Sequence, residues 1–193
     1  MNKEIERKFS IKYIPNNIRI DEVKHMEQCT IYKDNNSMIR IRKVTYKKKQ
    51  VTKYIYTLKT KCDMQYNEKS AIGQKYEIEY YISEDEYEDL LQRKVSNIIQ
   101  KTRINVPIEN NLVVEIDIYY DYLEGLLTAE IEFPDEETAK LFEKPDWLGE
   151  ELGYKTLSNG KLAQMNRQQF LDKVTDEFIE NNKIIIEKLK KLI

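Results

Sequence analysis

Apolar and polar residues alternate along most of the first 133 residues, with the period of two that is typical of β-strands. Short polar or basic breaks separate the alternating segments, and the basic break at 47–50 is expected to be a solvated hairpin tip. Consecutive strands joined by short turns favour an antiparallel sheet, either open or closed into a barrel. The predicted strands span 4–9, 23–33, 38–46, 53–61, 76–82, 99–106, 112–119 and 128–133, of which 23–33 is the least regular.

Helical segments interrupt and follow the predicted strands. Ser83 and Glu86 form a capping box that opens a helix expected to extend to about Asn97. Asp135 is expected to cap a short second helix. From residue 160 to the end the pattern is helical, with Asn181-Asn182 as a candidate break. The chain is therefore predicted to be α+β and mainly β, with flanking helices and a C-terminal helix.

The last helical segment is amphipathic. A helix of about ten residues is marginal in water unless its apolar face is buried, so this face needs a partner. We expect it to pack on its own domain; a two-fold homodimer contact is the next alternative, and membrane-surface binding is the least favoured. Its apolar residues are Ile184, Ile185, Ile186, Leu189, Leu192 and Ile193.

The composition narrows the functional classes. With 32 Lys and Arg against 34 Asp and Glu in 193 residues, the net charge of −2 gives no general attraction to nucleic acid or membranes. No apolar run approaches the roughly 20 residues of a membrane span. Cys29 and Cys62 do not form a Cys-x-x-Cys pair and are too few for a disulfide scaffold. These features predict a soluble cytoplasmic protein that is a monomer or a homodimer.

The low numbers of histidine and glycine residues restrict the possible chemistry. His25 is the only histidine, which excludes a metal site built from several histidines, and we expect it to be a surface residue. The chain has only 5 glycines and no glycine-rich phosphate loop, so any phosphate would have to be bound by side chains. Trp147 is expected to be a packing residue.

Charged residues on the predicted strands are sorted by sign. Residues i and i+2 of a strand lie on one face, about 7 Å apart. One interpretation is that these faces are simply solvated, but a solvated face normally mixes signs because like charges repel. We favour the alternative in which the charges face inward. The like-signed pairs are Arg40 and Arg42, Lys59 and Lys61, Lys101 and Arg103, Glu77 and Glu79, Glu115 and Asp117, and Glu130 and Glu132.

Such an enclosed face would suit a metal–polyphosphate complex. Clustered carboxylates are ligands for a hard divalent cation such as Mg²⁺ or Mn²⁺. Arginine and lysine side chains bind phosphate oxygens, and each guanidinium can bind two of them.

Several short motifs resemble the CYTH, or triphosphate tunnel metalloenzyme, superfamily. Residues 4–9, Glu4-Ile5-Glu6-Arg7-Lys8-Phe9, resemble its Glu-x-Glu-x-Lys signature. Similar motifs follow in the family's order across residues 1 to 170. They are Arg40-Ile41-Arg42, Thr57-Leu58-Lys59, Tyr76-Glu77-Ile78-Glu79, Lys101-Thr102-Arg103, Glu115-Ile116-Asp117, Glu130-Ile131-Glu132-Phe133, Trp147-Leu148-Gly149-Glu150-Glu151 and Asn159-Gly160-Lys161-Leu162-Ala163.

The resemblance implies an eight-stranded antiparallel β-barrel that forms a tunnel. Residues 1–175 would be the tunnel domain, and 176–193 a helical extension of it. The implied metal ligands are Glu4, Glu6, Glu130 and Glu132. The implied phosphate-binding residues are Lys8, Arg40, Arg42, Lys59, Lys101, Arg103 and Lys161. Glu77, Glu79, Glu115 and Asp117 would hold a second metal or position water.

The implied activity is Mg²⁺- or Mn²⁺-dependent hydrolysis of a triphosphate, with inorganic tripolyphosphate as the preferred substrate. The alternatives are a thiamine or nucleoside triphosphatase, a class IV adenylyl cyclase, and a module that binds polyphosphate without turnover. One departure from the family is Thr30, which stands where relatives often carry tyrosine; Tyr32, on the same predicted face, is a candidate replacement.

Overall fold

The computed structural model describes residues 2–61, 73–152 and 157–193, and the side chains of residues 2–4, 61 and 73–75 lie outside that description. Within the described part, nine strands form one sheet, with five α-helices around it. The strands are β1 (Asn2–Ile11), β2 (Glu22–Lys33), β3 (Ser37–Tyr46), β4 (Val51–Lys61), β5 (Gly73–Ile82), β6 (Ile99–Pro107), β7 (Val113–Tyr119), β8 (Leu127–Glu132) and β9 (Leu148–Glu151). The helices are α1 (Glu84–Leu91), α2 (Glu136–Leu141), α3 (Asn159–Leu162), α4 (Arg167–Leu171) and α5 (Asp176–Lys190).

The strand order is β5-β4-β3-β2-β6-β7-β8-β1-β9, and every pairing is antiparallel. This confirms a mainly β, antiparallel protein with a few helices. The predicted eight-stranded closed barrel is corrected to an antiparallel sheet of nine strands. The reason lies in β1, which pairs along its length with three strands: β5, β8 and β9.

The ninth strand was missed because four residues are too few to show an alternating pattern. β9 pairs with the end of β1, where Phe9 is opposite Glu151 and Ile11 is opposite Leu148. Gly149 allows the close approach, since a Cβ atom at this position would lie 2.2 Å from Ser10 Oγ.

The apolar face of the sheet packs against helices. Along β7, Val114, Ile116 and Ile118 are fully buried in the main core, whereas Glu115 and Asp117 occupy the alternate positions. The main core also contains Trp147, as predicted, and Leu189 of α5. A second core includes residues of α3, α4 and α5, together with Leu123 and Leu126. The charged residues at the alternate positions therefore lie on the opposite side of the sheet.

Three helix predictions are corrected or refined. The capping box at Ser83 is present, but α1 ends at Leu91 rather than near residue 97. The segment after α1 instead gives its backbone N–H groups to other elements, as when Val95 donates to the Thr30 carbonyl. The helical stretch after residue 160 is split into three helices. Asn182 does not break α5, because its buried Nδ2 donates to the Gly125 carbonyl at 3.0 Å.

The C-terminal helix packs on its own chain, as expected. Ile185, Ile186 and Leu189 are buried in the main core, while Ile184 and Leu192 are exposed. In the part of the chain that the structure describes, no helix has the length and apolar character to cross a membrane.

Two adjacent isoleucines of α5 allow a matched test of this packing. Ile185 is 8 % exposed and Ile184 is 73 % exposed. We expect Ile185→Ala to lower the free energy of unfolding by about 2–4 kcal/mol, because it removes buried methyl groups and leaves a cavity. Ile184→Ala should change it by less than about 0.5 kcal/mol. Urea unfolding followed by circular dichroism measures both, and equal effects would contradict the observed orientation of α5.

Candidate functional site

The charged face of the sheet lines one cavity of about 930 Å³, to which all of β1–β8 contribute side chains. The charged residues therefore face inward, as the sign-sorted pattern predicted. The predicted site residues that the structure brings together here are Glu6, Lys8, Arg40, Arg42, Lys59, Glu77, Glu79, Lys101, Arg103, Glu115, Glu130 and Glu132.

Two predicted site residues are placed differently, and the side chain of a third is not described. Asp117 is fully buried beneath the cavity wall, where it bonds to Lys101 and Arg103. Glu4 lies in β1, but its side chain is outside the described part. Lys161 is exposed on α3 and lines a second, separate cavity together with Lys33 and Lys173.

One group of charges, which we call the β3–β5 network, contains Arg40, Arg42, Lys59, Glu77 and Glu79. Glu77 accepts from Arg40 Nη2 at 3.3 Å and from Lys59 Nζ at 2.9 Å. Glu79 accepts from Arg42 Nη2, and its Oε1 lies 3.6 Å from Arg40 Nη2. Strand register produces these contacts, because Lys59 is directly opposite Glu77 in the pairing of β4 with β5.

The guanidinium groups of this network retain unused hydrogen-bonding capacity. The Nε atoms of Arg40 and Arg42 are buried and have no hydrogen-bond partner. Burial and the neighbouring Arg40 lower the pKa of Arg42 to about 10. Burial alone would raise the pKa of Glu79, but the charge of Arg42, the hydrogen bond from Thr57 and the charge of Arg40 hold it below its ordinary value. Buried donors without acceptors are costly, so the site is suited to an added anion.

A second group of charges lies deeper and contains Lys8, Lys101, Arg103, Asp117 and Glu130. We call it the β1–β8 network after Lys8 of β1 and Glu130 of β8. Arg103 Nη2 lies 2.6 Å from both Asp117 and Glu130, and its Nη1 also contacts Glu115. Lys101 Nζ is 2.5 Å from Asp117 Oδ2, and Lys8 Nζ is 2.7 Å from Glu130 Oε1. Each buried charge thus has a partner of opposite sign, which burial requires.

The pKa values of this network follow from burial and close charges. Burial and the neighbouring Arg103 lower the pKa of Lys101 to about 8, although Asp117 opposes the shift. Burial would raise the pKa of Glu130, but Lys8 and Arg103 hold it well below its usual range. Burial would lower the pKa of Lys8, but Glu130 and Glu6 raise it.

Carboxylates from β1 and β8 are opposed at one side of the cavity. Glu6 is directly opposite Glu132, and Lys8 is opposite Glu130 in the same pairing. Like charges in directly opposite positions repel, and a hard cation bound between their oxygens would relieve that repulsion. Among the described residues, no group of three or more Asp, Glu, His or Cys side chains is already arranged around a metal position. The oxygen donors present nevertheless fit Mg²⁺ or Mn²⁺ in chemical type.

One end of the cavity is bounded by the segment Ser158–Gly160. Lys8 Nζ donates to the Leu157 carbonyl at 2.9 Å, and the Tyr119 hydroxyl donates to Asn159 Oδ1 at 2.9 Å. These contacts join the segment to the β1–β8 network.

Another part of the cavity is apolar and was not predicted from the sequence. It is formed by Met26, Val44 and Ile55, with Tyr46 beside them. The nitrogen of Lys24 lies 5.5 Å from the centre of the Tyr46 ring. These positions share strand faces with the charged residues, so the i, i+2 pattern could have placed them here. They were overlooked because apolar residues alone indicate no chemistry.

The structure also shows where Thr30, Tyr32, His25 and Cys29 lie. Thr30 is buried, and Tyr32 is exposed and donates its hydroxyl to Asp34 at 2.9 Å. A register shift between Thr30 and Tyr32 separates the two residues, so Tyr32 does not face the cavity as a replacement for the missing tyrosine. His25 is exposed, as expected, whereas Cys29 is buried; Cys62 lies outside the described residues.

Known proteins resemble the chain over most of its length. It is 28 % identical over 149 residues to an inorganic triphosphatase of Nitrosomonas europaea, covering 77 % of this chain and 88 % of that protein. It is also 28 % identical over 158 residues to an inorganic triphosphatase of Acetivibrio thermocellus, covering 79 % of this chain and 86 % of that protein. A comparison with protein-family profiles gives no match.

Solved structures share the fold. The crystal structure of an inorganic triphosphatase matches with a TM-score of 0.56 and 27 % identity, covering 86 % of this chain and 97 % of the other. A protein from Pyrococcus horikoshii matches in fold alone, with a TM-score of 0.50 and 20 % identity over 71 % of this chain and 82 % of its own. Together with the ordered motifs and the charged cavity, these similarities support the resemblance of the chain to the CYTH, or triphosphate tunnel metalloenzyme, superfamily and to its tripolyphosphatase-type members.

Proposed function

We propose that the protein hydrolyses inorganic tripolyphosphate to diphosphate and orthophosphate, with Mg²⁺ or Mn²⁺ as cofactor. The observation that carries this proposal is the cavity itself, which is lined both by arginines with buried, unpartnered Nε donors and by a pair of opposed carboxylates. The similarity to two inorganic triphosphatases supports the choice of substrate.

The basic residues of both networks are proposed to bind the phosphate chain. Arginine forks bind phosphate oxygens two at a time, and lysines add point charges. We propose that a chain of three phosphates bridges the β3–β5 and β1–β8 networks, because residues of both line the same cavity. The proposed phosphate-binding residues are Lys8, Arg40, Arg42, Lys59, Lys101 and Arg103.

The carboxylates are proposed to divide into two roles. Glu4, Glu6, Glu130 and Glu132 would hold the divalent ion, which withdraws charge from the phosphate oxygens. Glu115 would orient the water that attacks the terminal phosphorus in line, so that a new P–O bond forms as the bridging P–O bond breaks. Glu77 is proposed to support the same step or a second metal ion. Asp117, which bonds to both Lys101 and Arg103, would position these two cations.

A second candidate is the hydrolysis of an organic triphosphate, such as thiamine or nucleoside triphosphate. The apolar wall of Met26, Val44 and Ile55 favours it, because an organic group could pack there while its phosphates reach the charged residues. Cyclisation of ATP and binding without turnover are the remaining alternatives.

The first test is phosphate release from tripolyphosphate, ATP, thiamine triphosphate and diphosphate, with Mg²⁺, with Mn²⁺ and with a chelator. We expect tripolyphosphate to be the best substrate and the chelator to abolish turnover, because the anionic transition state needs added positive charge. Higher turnover of an organic triphosphate would support the second candidate. Production of cyclic AMP would indicate a cyclase, and no turnover of any triphosphate would indicate a binding module.

Removal of one carboxylate from the opposed pair tests the metal site. We expect Glu6→Gln and Glu132→Gln each to lower kcat by about 10² or more, because loss of a charged ligand weakens metal binding and electrostatic stabilisation. Glu150→Gln on β9 is a matched control, because this exposed side chain is not among those lining the cavity. Circular dichroism would verify that all three variants fold, and full activity in both cavity variants would refute the assignment.

A comparison of two lysines tests which of the predicted phosphate-binding residues contact the substrate. Lys59 lines the cavity beside Glu77, whereas Lys161 is exposed outside it. We expect Lys59→Gln to raise KM for tripolyphosphate about tenfold, the cost typical of a lost charged hydrogen bond. Lys161→Gln should change it by less than about twofold, as expected of an exposed charge. The reverse order of effects would contradict the assignment of Lys59 rather than Lys161 to phosphate binding.

A further inference from the structure

Glu79 occupies a position in the cavity that has the characteristics of a phosphate-oxygen site. Its Oε1 accepts from Thr57 Oγ1 at 2.8 Å and from Arg42 Nη2, and it lies 3.6 Å from Arg40 Nη2. Two guanidinium groups and one hydroxyl therefore converge on a single carboxylate oxygen. Convergent, charged donors of this kind are the usual environment of a bound phosphate oxygen.

The carboxylates of β5 neutralise most of the charge that a phosphate chain would otherwise meet in this half of the cavity. Glu77 bridges Arg40 and Lys59, and Glu79 contacts both arginines. With three cations and two carboxylates, the β3–β5 network therefore keeps a net charge of only +1. A phosphate chain that binds these cations must compete with the carboxylates.

Glu79 is the carboxylate better placed to leave. Its side chain is 39 % exposed, compared with 16 % for Glu77. A displaced Glu79 carboxylate can therefore return to water, whereas Glu77 is more enclosed. Ionised groups that regain water lose little on leaving an ion pair.

We propose that Glu79 is an internal competitor for the phosphate site, holding Arg40 and Arg42 until a highly charged polyphosphate displaces it. The inference rests on the anion-binding part of the proposed function and gives Glu79 a role different from metal binding or water activation. In this role Glu79 limits the binding of short phosphates, because they gain few other contacts.

The consequence is that short phosphates are held weakly. Orthophosphate gains only the contacts that Glu79 gives up, so its net gain is small. Tripolyphosphate carries two further phosphates, which would contact Lys8, Lys101 and Arg103, residues that Glu79 does not touch. Displacement of Glu79 costs both anions the same free energy, which cancels most of the gain of orthophosphate but only part of the larger gain of tripolyphosphate.

Glu115 provides a matched control in the same cavity. It contacts Arg103, and Arg103 also bonds to Asp117 and Glu130. Loss of the Glu115 charge therefore leaves Arg103 neutralised, although it changes the charge of the cavity by the same amount as loss of Glu79. A difference between the two variants reports the specific contacts of Glu79 rather than the general field of the cavity.

The experiment is isothermal titration calorimetry of the metal-free protein in chelator, with orthophosphate and tripolyphosphate as ligands. Glu79→Gln should bind orthophosphate about tenfold more tightly than the unmodified protein, because two guanidinium groups lose their competing anion. The gain for tripolyphosphate should be of similar size, because both anions displace the same carboxylate. Glu115→Gln should change the affinity for orthophosphate by less than about twofold, because Arg103 keeps Asp117 and Glu130 as partners. Circular dichroism and thermal melting establish that both variants are folded.

Unchanged or weaker binding in Glu79→Gln would overturn the proposal, as would equal gains in Glu79→Gln and Glu115→Gln. These outcomes are independent of turnover. Hydrolysis of tripolyphosphate combined with unchanged anion binding in Glu79→Gln would leave the proposed function intact and reject the competitor role. Tighter binding in Glu79→Gln combined with no hydrolysis would do the reverse.

Discussion

The need to pair buried charges governs this structure. Lys8, Lys101, Asp117 and Glu130 are almost completely enclosed, and a charge removed from water is tolerated only beside a charge of opposite sign. Strand register supplies the partners, because it sets Lys8 opposite Glu130 and Arg103 opposite Asp117. A slip of one residue in either pairing would turn these side chains to the apolar side of the sheet.

The two sides of the sheet therefore depend on each other. The same register that directs Glu115 and Asp117 to the cavity directs Val114, Ile116 and Ile118 to the main core. α5 then covers part of that core through Ile185 and Leu189, both within the same cluster. Packing on the outside thus holds the charged side chains in position on the inside.

The cations of the cavity are opposite in charge to the proposed phosphate ligand, but carboxylates of the protein already contact them. Each cationic group that is suited to phosphate already contacts a carboxylate, yet the Nε atoms of Arg40 and Arg42 remain without partners. A site of this kind favours a long, highly charged ligand, since only such a ligand exchanges several internal ion pairs at once. The apolar wall around Met26 adds room for a group that is not charged.

The sequence by itself determined the strand faces, since a period of two places Arg40 with Arg42 and Glu130 with Glu132 whatever the topology. It also determined the cap of α1 at Ser83, which is a local interaction. Only the tertiary structure decided the position of β9, the continuity of α5 through Asn182 and the partners of each charge. These features depend on contacts between residues far apart in the chain, such as Asn182 with Gly125, which no local pattern encodes.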